Sequence, residues 1–423
     1  MNIKEQVNRL ASQCVKCALC LPHCPTYELT KDENESPRGR IALFQAYAKE
    51  QLKLDERGKK HLDQCLGCRA CERVCPAHVE YGELLTLGRA YVNQMDDANK
   101  LASSSFTTRF MAWMVKHPLW QRSLQYFIWL SQKSGVRQLA TACGLPKLLG
   151  LTPLDHLLPS VPKPLTWQPV YEAIGEKKGT VLFFTGCMSN WCDQETVIAS
   201  IFVLQQLGYE VHLPTNQVCC GAIALHAGEL PDALKLAENN LNAFIPQLEQ
   251  ATAIITIATG CSSVLGEYGK HFSSLAINNP QAALFADKVI DIVDFIQAAE
   301  WPTQLIPKPL HETVFIHTPC TLRNVLKTPL APLQMLARIP ELVCQTIKSP
   351  HCCGAAGTFM LEHPEIAKPL VKNLLSELGS IQGNFIATSN VGCALHIQQQ
   401  MRESNSAIRV THPVTLLARA LGL

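Results

Sequence analysis

"HCCGAAGTF", residues 351–359, places two adjacent cysteines before a glycine, and "VCCGAIAL", residues 218–225, repeats the arrangement. Neighbouring side chains on an extended strand point to opposite faces, so two adjacent thiols reach one site only where the backbone turns. Glycine permits such a turn because it has no Cβ atom and readily adopts positive φ angles. Each stretch therefore predicts a binding site built around its cysteine doublet.

The two doublets belong to a longer internal repeat. Four cysteines recur in the same order at separations of 133, 133, 133 and 132 residues. The first set is Cys187, Cys219, Cys220 and Cys261, and the second set is Cys320, Cys352, Cys353 and Cys393. Runs of β-branched and aromatic residues accompany them, since "TVLFFTGC" (180–187) matches "TVFIHTPC" (313–320) and "AIITIATGC" matches "FIATSNVGC". This spacing indicates a duplicated domain with two equivalent cysteine sets.

Residues 179–423 alternate short β-like runs with helical periods, which is typical of an α/β architecture. The helical patterns "DQETVIASIFVLQQLG" and "HPEIAKPLVKNLLSELG" end at Gly208 and Gly379, and glycine commonly terminates helices. Each cysteine of a set then ends a strand or lies in a loop beside one. Open parallel sheets bind ligands at the carboxyl ends of their strands, so we expect each set to converge there.

Residues 1–95 contain eight more cysteines, all in two motifs, "CVKCALCLPHCP" and "CLGCRACERVCP". Both have the spacing C-x2-C-x2-C-x3-C-P of two-cluster ferredoxins, in which the fourth cysteine ligates the other cluster. We therefore predict one 4Fe–4S cluster on Cys14, Cys17, Cys20 and Cys75, and a second on Cys65, Cys68, Cys71 and Cys24. Structural zinc fits less well, because zinc motifs usually separate two cysteine doublets by a dozen residues or more. Helix-forming residues between the motifs indicate a helical ferredoxin domain.

The metal of the two four-cysteine sets stays open at this level. Iron–sulfur clusters and structural zinc both suit four thiolates, and iron is the preferred interpretation. Buried free cysteines are common in cores, but they would not explain duplication at four positions. His317, His351 and His396 lie near the second set, and we interpret them as core or surface histidines rather than ligands.

The composition of the 423-residue chain limits the classes of function. Its 47% hydrophobic and 17% charged residues are typical of packed globular domains, and a net charge of +2 offers no basic surface for nucleic acid. No secretory signal opens the sequence, and the apolar stretch 110–130 is interrupted by charges and a proline. We therefore expect a cytoplasmic protein without a transmembrane segment. The three cysteines outside the motifs are predicted to be packing residues: Cys143, Cys192 and Cys344.

Four segments are predicted from these patterns. They are a helical ferredoxin domain (1–95), a helical segment with an extended linker (96–178), and two cysteine-rich repeats (179–300 and 301–423). The fold class is mixed α+β and α/β, with a pseudo-two-fold relation between the repeats. Trp113, Trp120 and Trp129 recur on one helical face, and core packing is favoured over contact with a membrane or quinone.

Eight motifs follow one another along the chain: "CVKCALCLPHCPTY", "SPRGRIAL", "CLGCRACERVCP", "VCCGAIALHAG", "ATGCSSVLGEYG", "HTPCTLRN", "SPHCCGAAGTF" and "SNVGCALHI". In this order they resemble the iron–sulfur subunit of glycolate oxidase. The resemblance spans nearly the whole chain and is weakest over 96–178. More distantly, the chain is similar to the iron–sulfur subunit of anaerobic glycerol-3-phosphate dehydrogenase, to lactate-utilisation proteins and to the CCG-domain subunit of heterodisulfide reductase.

The resemblance implies an electron-transfer subunit. An FAD-dependent partner would oxidise a 2-hydroxy acid, glycolate or D-lactate, and this chain would pass the electrons toward quinone or another acceptor. It would then associate peripherally with the inner face of the cytoplasmic membrane. In accord with this, the sequence has no G-x-G-x-x-G after a strand and no P-loop, so hydride chemistry must come from a partner.

One departure separates this chain from the heterodisulfide reductase relatives. Those proteins end each repeat with C-x-x-C and hold a noncubane cluster with five cysteines. In this chain the second cysteine of that motif is replaced by Val264 in the first repeat and by His396 in the second. We therefore expect a four-cysteine cluster, and an additional donor from His396 in the second repeat is the alternative to its interpretation as a core or surface histidine. The alternative functions are an enzyme whose CCG-type cluster reduces a disulfide directly, and a zinc-stabilised docking scaffold attached to the ferredoxin domain.

Overall fold

Residues 2–99 fold into helices around the two N-terminal cysteine motifs. The computed structural model describes residues 2–99, 113–114, 118–148, 155, 158–274, 279–379 and 383–423. The first range contains α1 (Ile3–Ser12), α2 (Pro25–Thr30), α3 (Pro37–Ala48), α4 (Glu56–Asp63), α5 (Ala70–Arg73) and α6 (Tyr81–Asn99), with 3-10 turns at Leu21–His23 and Glu33–Glu35. No strand occurs within this range, which confirms the prediction of a helical ferredoxin domain.

A buried arginine joins the two motifs of this domain. Arg40 on α3 forms an ion pair with Glu35, and both side chains are almost fully buried. Its guanidinium donates to the carbonyl oxygens of His61 (2.8 Å) and Gln64 (3.1 Å), just before the second motif. It also donates to the hydroxyl of Thr26 (3.0 Å), just after the first. A buried charge is tolerated only with such a complete set of partners, so Arg40 fixes the two cysteine loops against each other.

The segment between the ferredoxin domain and the repeats is helical and then extended, as expected. It forms α7 (Pro118–Lys133), α8 (Val136–Ala142) and α9 (Leu145–Leu148). Side-chain amides on α7 hold the extended stretch, since Gln132 donates to the carbonyl oxygen of Pro159 (2.9 Å). The prediction that the tryptophans fill a core is wrong for Trp113 and Trp120. They are 40% and 64% exposed, and their rings pack against each other with centroids 6.1 Å apart.

Two sheets with the same strand order form the repeats. Their strands are β1 (Val170–Tyr171), β2 (Gly179–Phe184), β3 (Tyr209–His212), β4 (Ala253–Thr256), β5 (Val289–Asp291), β6 (Thr313–His317), β7 (Val343–Thr346), β8 (Phe385–Thr388) and β9 (Arg409–Thr411). The orders are β1-β3-β2-β4-β5 and β7-β6-β8-β9, and every pairing is parallel except that of β1 with β3. Without β1, which the linker contributes, the two sheets are equivalent, and the predicted duplication is confirmed.

Helices connect the parallel strands within each repeat. The first repeat has α10 (Cys187–Cys192), α11 (Gln194–Gln206), α12 (Ala222–His226), α13 (Leu230–Leu248), α14 (Thr259–Leu265), α15 (Tyr268–Ser274), α16 (Pro280–Lys288) and α17 (Ile292–Ala298). The second has a π-helical turn (Leu322–Leu326), α18 (Ala331–Leu336), α19 (Phe359–Glu362), α20 (Pro364–Ser376), α21 (Val391–Glu403) and α22 (Pro413–Leu421). As predicted, α11 and α20 end shortly before Gly208 and Gly379, which both have positive φ angles.

The two repeats share a core and face each other at the carboxyl ends of their strands. Helices α11 and α22 pack together through buried aliphatic residues from both repeats. Nearer the cysteines, the amide of Thr259 donates to the carbonyl oxygen of Ser389 (3.0 Å), and the hydroxyl of Thr321 donates to that of Thr259 (2.7 Å). These bonds hold the two strand-end regions, and therefore the two cysteine sets, opposite each other.

Candidate iron–sulfur centres

The first ferredoxin motif and the last cysteine of the second motif surround one small cavity. This cavity has a volume of about 30 Å³, and its thiols are those of Cys14, Cys17, Cys20, Cys71 and Cys75. Cys75 thus lies with the first motif, as the ferredoxin spacing predicts. The structure brings together the four cysteines that the sequence assigns to the first cluster.

The second motif surrounds a cavity of about 20 Å³ together with the last cysteine of the first motif. Its thiols are those of Cys24, Cys65, Cys68 and Cys71. The structure therefore brings together the predicted second set as well, and Cys71 borders both cavities. Each loop reaches around its cavity by the same conformation, because Lys16 and Ala18 in the first motif and Gly67 and Arg69 in the second all have positive φ angles at matching positions.

The surroundings of the second cavity favour the thiolate form of one cysteine and oppose it at two others. Burial opposes ionisation of Cys65, but the guanidinium groups of Arg40 and Arg89 outweigh burial and lower the pKa of this thiol. Burial, followed by neighbouring thiols, raises the pKa values of Cys68 and Cys71. Several buried thiolates can coexist only if a cation compensates their charge, which is what cluster iron supplies.

The CCG doublets turn as their glycines predict. Gly221 and Gly354 both have a φ angle of +88°, and a Cβ atom on Gly354 would lie 2.8 Å from the carbonyl oxygen of Ala367 on α20. No residue other than glycine fits there without strain. This turn separates the partners of the two adjacent thiols. Cys219 Sγ lies 3.4 Å from Cys187 Sγ, whereas Cys220 Sγ lies 3.4 Å from Cys261 Sγ.

All eight cysteines of the two four-cysteine sets line a single cavity of about 210 Å³ between the two sheets. The thiols of the first set are Cys187, Cys219, Cys220 and Cys261, and those of the second set are Cys320, Cys352, Cys353 and Cys393. In the second set, Cys320 Sγ lies 3.8 Å from Cys352 Sγ, and this hydrogen bond, followed by burial, raises the pKa of Cys320. The sequence predicts that each set converges, but it does not predict that the two sets face a common space.

A histidine joins the second set in a way that sequence reasoning missed. A ring nitrogen of His317 and the sulfur atoms of Cys353 and Cys393 all lie within 4.8 Å of one another, and all three residues are buried. Nδ1 of His317 is 2.9 Å from Oγ1 of Thr388. Burial, assisted by Arg323, lowers the pKa of His317 to about 3, so the imidazole is neutral. A comparison of equivalent positions in the two repeats could have singled out His317, since the equivalent residue of the first repeat is Phe184.

The other expectations about isolated residues have mixed outcomes. His396 does not border the cavity, because α21 turns its side chain toward α20, where Nε2 lies 3.2 Å from the carbonyl oxygen of Ala367. Cys192 and Cys344 are partly buried, in agreement with a packing role. Cys143 is exposed at the end of α8, so its predicted packing role is wrong.

The ferredoxin domain contacts the second cysteine set directly. Cys68 packs in one apolar cluster with Cys320 and Cys352. The side-chain amide of Asn324 donates to the carbonyl oxygen of Cys68 (2.7 Å), while Arg73 donates to the amide oxygen of Asn324 (3.0 Å). The second ferredoxin cavity and the shared cavity of the repeats are therefore neighbours in the fold.

Comparison with known proteins identifies both halves of the chain. Residues 10–79 match the model of the 4Fe–4S dicluster domain, and residues 181–266 and 314–398 each match that of the cysteine-rich domain. The chain is 33% identical to the probable glycolate oxidase iron–sulfur subunit of Bacillus subtilis, over 97% of this chain and 94% of that protein. It belongs to the family of glycolate oxidase iron–sulfur subunits.

Other members and relatives agree with this assignment. The glycolate oxidase iron–sulfur subunit of Escherichia coli is 30% identical over 98% of this chain and 95% of its own length. Lactate utilization protein A of Bacillus pumilus is 26% identical over 56% of this chain and 98% of its own length. The family confirms two 4Fe–4S clusters in the ferredoxin domain and supports further iron–sulfur clusters in the repeats.

Replacing one cysteine of the second doublet tests whether the doublet binds metal. We expect Cys353→Ser to lose one centre's worth of iron, about four atoms for a 4Fe–4S cluster, because serine removes a soft thiolate from the set. Iron per chain is measured on anaerobically purified protein. Cys344→Ser is the matched control, since Cys344 lies in the same repeat on β7 and outside the cavity, and its iron content should equal that of the wild type. Equal iron in both variants would contradict a ligand role for the doublet.

Proposed function

We propose that this chain carries electrons from an FAD-dependent 2-hydroxyacid dehydrogenase subunit toward a membrane quinone, with glycolate as the substrate of the partner and D-lactate as the alternative. The continuous series of thiol-lined cavities from the ferredoxin domain into the repeats is the observation that carries this proposal. Clusters accept one electron at a time and need no substrate pocket of their own. Oxidation of the acid therefore takes place on the partner.

The same cavities support an assignment of the ligands in this series. We propose that the two ferredoxin clusters take the sets predicted from the motifs, and that the repeats hold iron–sulfur clusters on their two four-cysteine sets. We also propose the division into segments 1–95, 96–178, 179–300 and 301–423. The matched regions 10–79, 181–266 and 314–398 fall within three of these segments, which supports the division.

Electrons enter, in this proposal, at the first ferredoxin cluster. Cys17 is the only exposed thiol among the eight ferredoxin cysteines, all of which the structure describes. Two apolar side chains flank it in the same loop, since Val15 and Leu19 are 68% and 57% exposed. An exposed apolar rim around a redox centre suits a docking partner that brings its flavin close to the cluster.

From there the path continues inward through contacts already described. Cys71 borders both ferredoxin cavities, and Cys68 packs against Cys320 and Cys352 of the second set. The second set then faces the first across the shared cavity. The order of transfer that follows is first ferredoxin cluster, second ferredoxin cluster, second repeat and first repeat.

The exit lies at the first repeat, beside an exposed aromatic helix. The side-chain amide of Gln121 on α7 donates to the carbonyl oxygen of Cys187 (3.4 Å), so this helix adjoins the first set. Its outer face exposes Trp120 (64%) and Phe127 (65%). Residues 118–148 contain four basic and no acidic residues. Aromatic residues combined with basic charge are typical of helices that lie on anionic membrane surfaces. Among the described residues, no helix is long and apolar enough to cross a bilayer.

The entry surface is tested by making it acidic. We expect Val15→Asp combined with Leu19→Asp to slow cluster reduction at least about tenfold in the complex with the flavoprotein, because the apolar docking rim is lost. Glycolate is added anaerobically, and flavin and cluster absorbance are followed separately. Flavin reduction by glycolate should be unchanged. Leu52→Asp, at an exposed apolar residue of the same domain outside the cavities, is the control. Unchanged cluster reduction in the double variant, or disulfide reduction by the isolated chain, would contradict the proposal.

The exit surface is tested with lipid vesicles. We expect the wild type to sediment with vesicles containing phosphatidylglycerol and not with pure phosphatidylcholine, because attraction to anionic headgroups adds to aromatic insertion. Trp120→Glu combined with Phe127→Glu should weaken this binding at least about tenfold. The matched control is Ile306→Glu combined with Leu330→Glu, two exposed apolar residues of the second repeat. Equal binding by the two double variants would refute a specific role of α7.

A further inference from the structure

The two repeats differ at one buried strand position beside the cysteines. In the first sheet, Phe184 at the end of β2 pairs in register with Thr256 on β4. In the second sheet, His317 at the end of β6 pairs in the same register with Thr388 on β8. The shared backbone frame therefore carries a phenyl ring in one repeat and an imidazole in the other.

The phenyl ring and the imidazole have different surroundings. Phe184 is fully buried and packs against Phe244 on α13, with ring centroids 6.1 Å apart. His317 is equally buried, yet a nitrogen of its ring lies within 4.8 Å of the sulfur atoms of both Cys353 and Cys393. A buried polar ring beside two thiols requires a chemical partner that the phenyl ring does not.

The neighbouring threonine leaves one nitrogen of the ring for such a partner. Nδ1 of His317 and Oγ1 of Thr388 are 2.9 Å apart, and we take the tautomer in which Nδ1–H donates to the hydroxyl. Nε2 then keeps its lone pair. Histidines that bind metals almost always donate their other ring N–H to an acceptor in this way, which fixes the tautomer and the orientation of the ring.

We propose that Nε2 of His317 is a ligand of the iron–sulfur centre in the second repeat, together with Cys353 and Cys393. The inference rests on the iron–sulfur chemistry proposed above for this set. It makes the two centres of the repeats chemically unequal, since the first set has no imidazole at the corresponding position. Imidazole is a neutral donor, and histidine ligation raises the potential of an iron–sulfur centre relative to thiolate ligation.

The ligand is tested directly by an anaerobic crystal structure of the iron-loaded chain. We expect Nε2 of His317 to lie about 2.1 Å from an iron atom, the bond length typical of imidazole on a first-row metal such as zinc. Iron held by the thiolates with Nε2 more than about 3 Å away would overturn the inference and leave the proposed function intact. A second set without iron would overturn both.

Redox titration of two variants supplies an independent measurement. We expect His317→Cys to lower the potential of one centre and to leave the others unchanged, because a thiolate replaces a neutral donor on the same iron. His396→Gln is the matched control, since His396 is a buried histidine of the same repeat that contacts the carbonyl oxygen of Ala367 instead of the thiols. It should leave all potentials unchanged. Identical potentials in His317→Cys and the wild type would overturn the ligand role.

Discussion

Two glycines with a φ angle of +88° direct the thiols of each repeat into a common space. At Gly354 the backbone of α20 is so close that a side chain would collide with it. In the first repeat, the turn directs the thiol of Cys219 toward Cys187, which follows β2. It directs the thiol of Cys220 toward Cys261 on α14. Without this turn, one thiol of each doublet would face away from the site. The CCG sequence is therefore a backbone requirement as much as a ligand motif.

The duplicated fold then produces a path rather than two isolated sites. Bonds between Thr259 and residues of the second repeat hold the two strand-end regions opposite each other. Asn324 fastens the loop of Cys68 to the second set, so the ferredoxin domain joins the repeats at one defined place. The first set is left beside α7 and its exposed aromatic residues. The series of centres therefore ends at two different surfaces, one around Cys17 and one on α7.

Features that depend on residues close together in the sequence could be predicted from it. The ferredoxin motifs, the duplication, the parallel α/β pattern and the helix ends at Gly208 and Gly379 all depend on short-range rules. The shared cavity and the strand β1 could not be predicted, because they depend on how separate elements pack. The histidine of the second repeat was misjudged for the same reason. His396 follows Cys393 by one helical turn but points to α20, whereas His317 lies on another element and reaches the thiols.

We propose that thiol sets in both halves of the chain hold iron. Analysis of iron, zinc and acid-labile sulfide in anaerobically purified protein tests it most directly. Two ferredoxin clusters account for about eight iron atoms per chain, and clusters in the repeats would raise the total to about twelve to sixteen, with zinc far below iron. About eight iron atoms accompanied by one or two zinc atoms would confine electron transfer to the ferredoxin domain and contradict the path through the repeats.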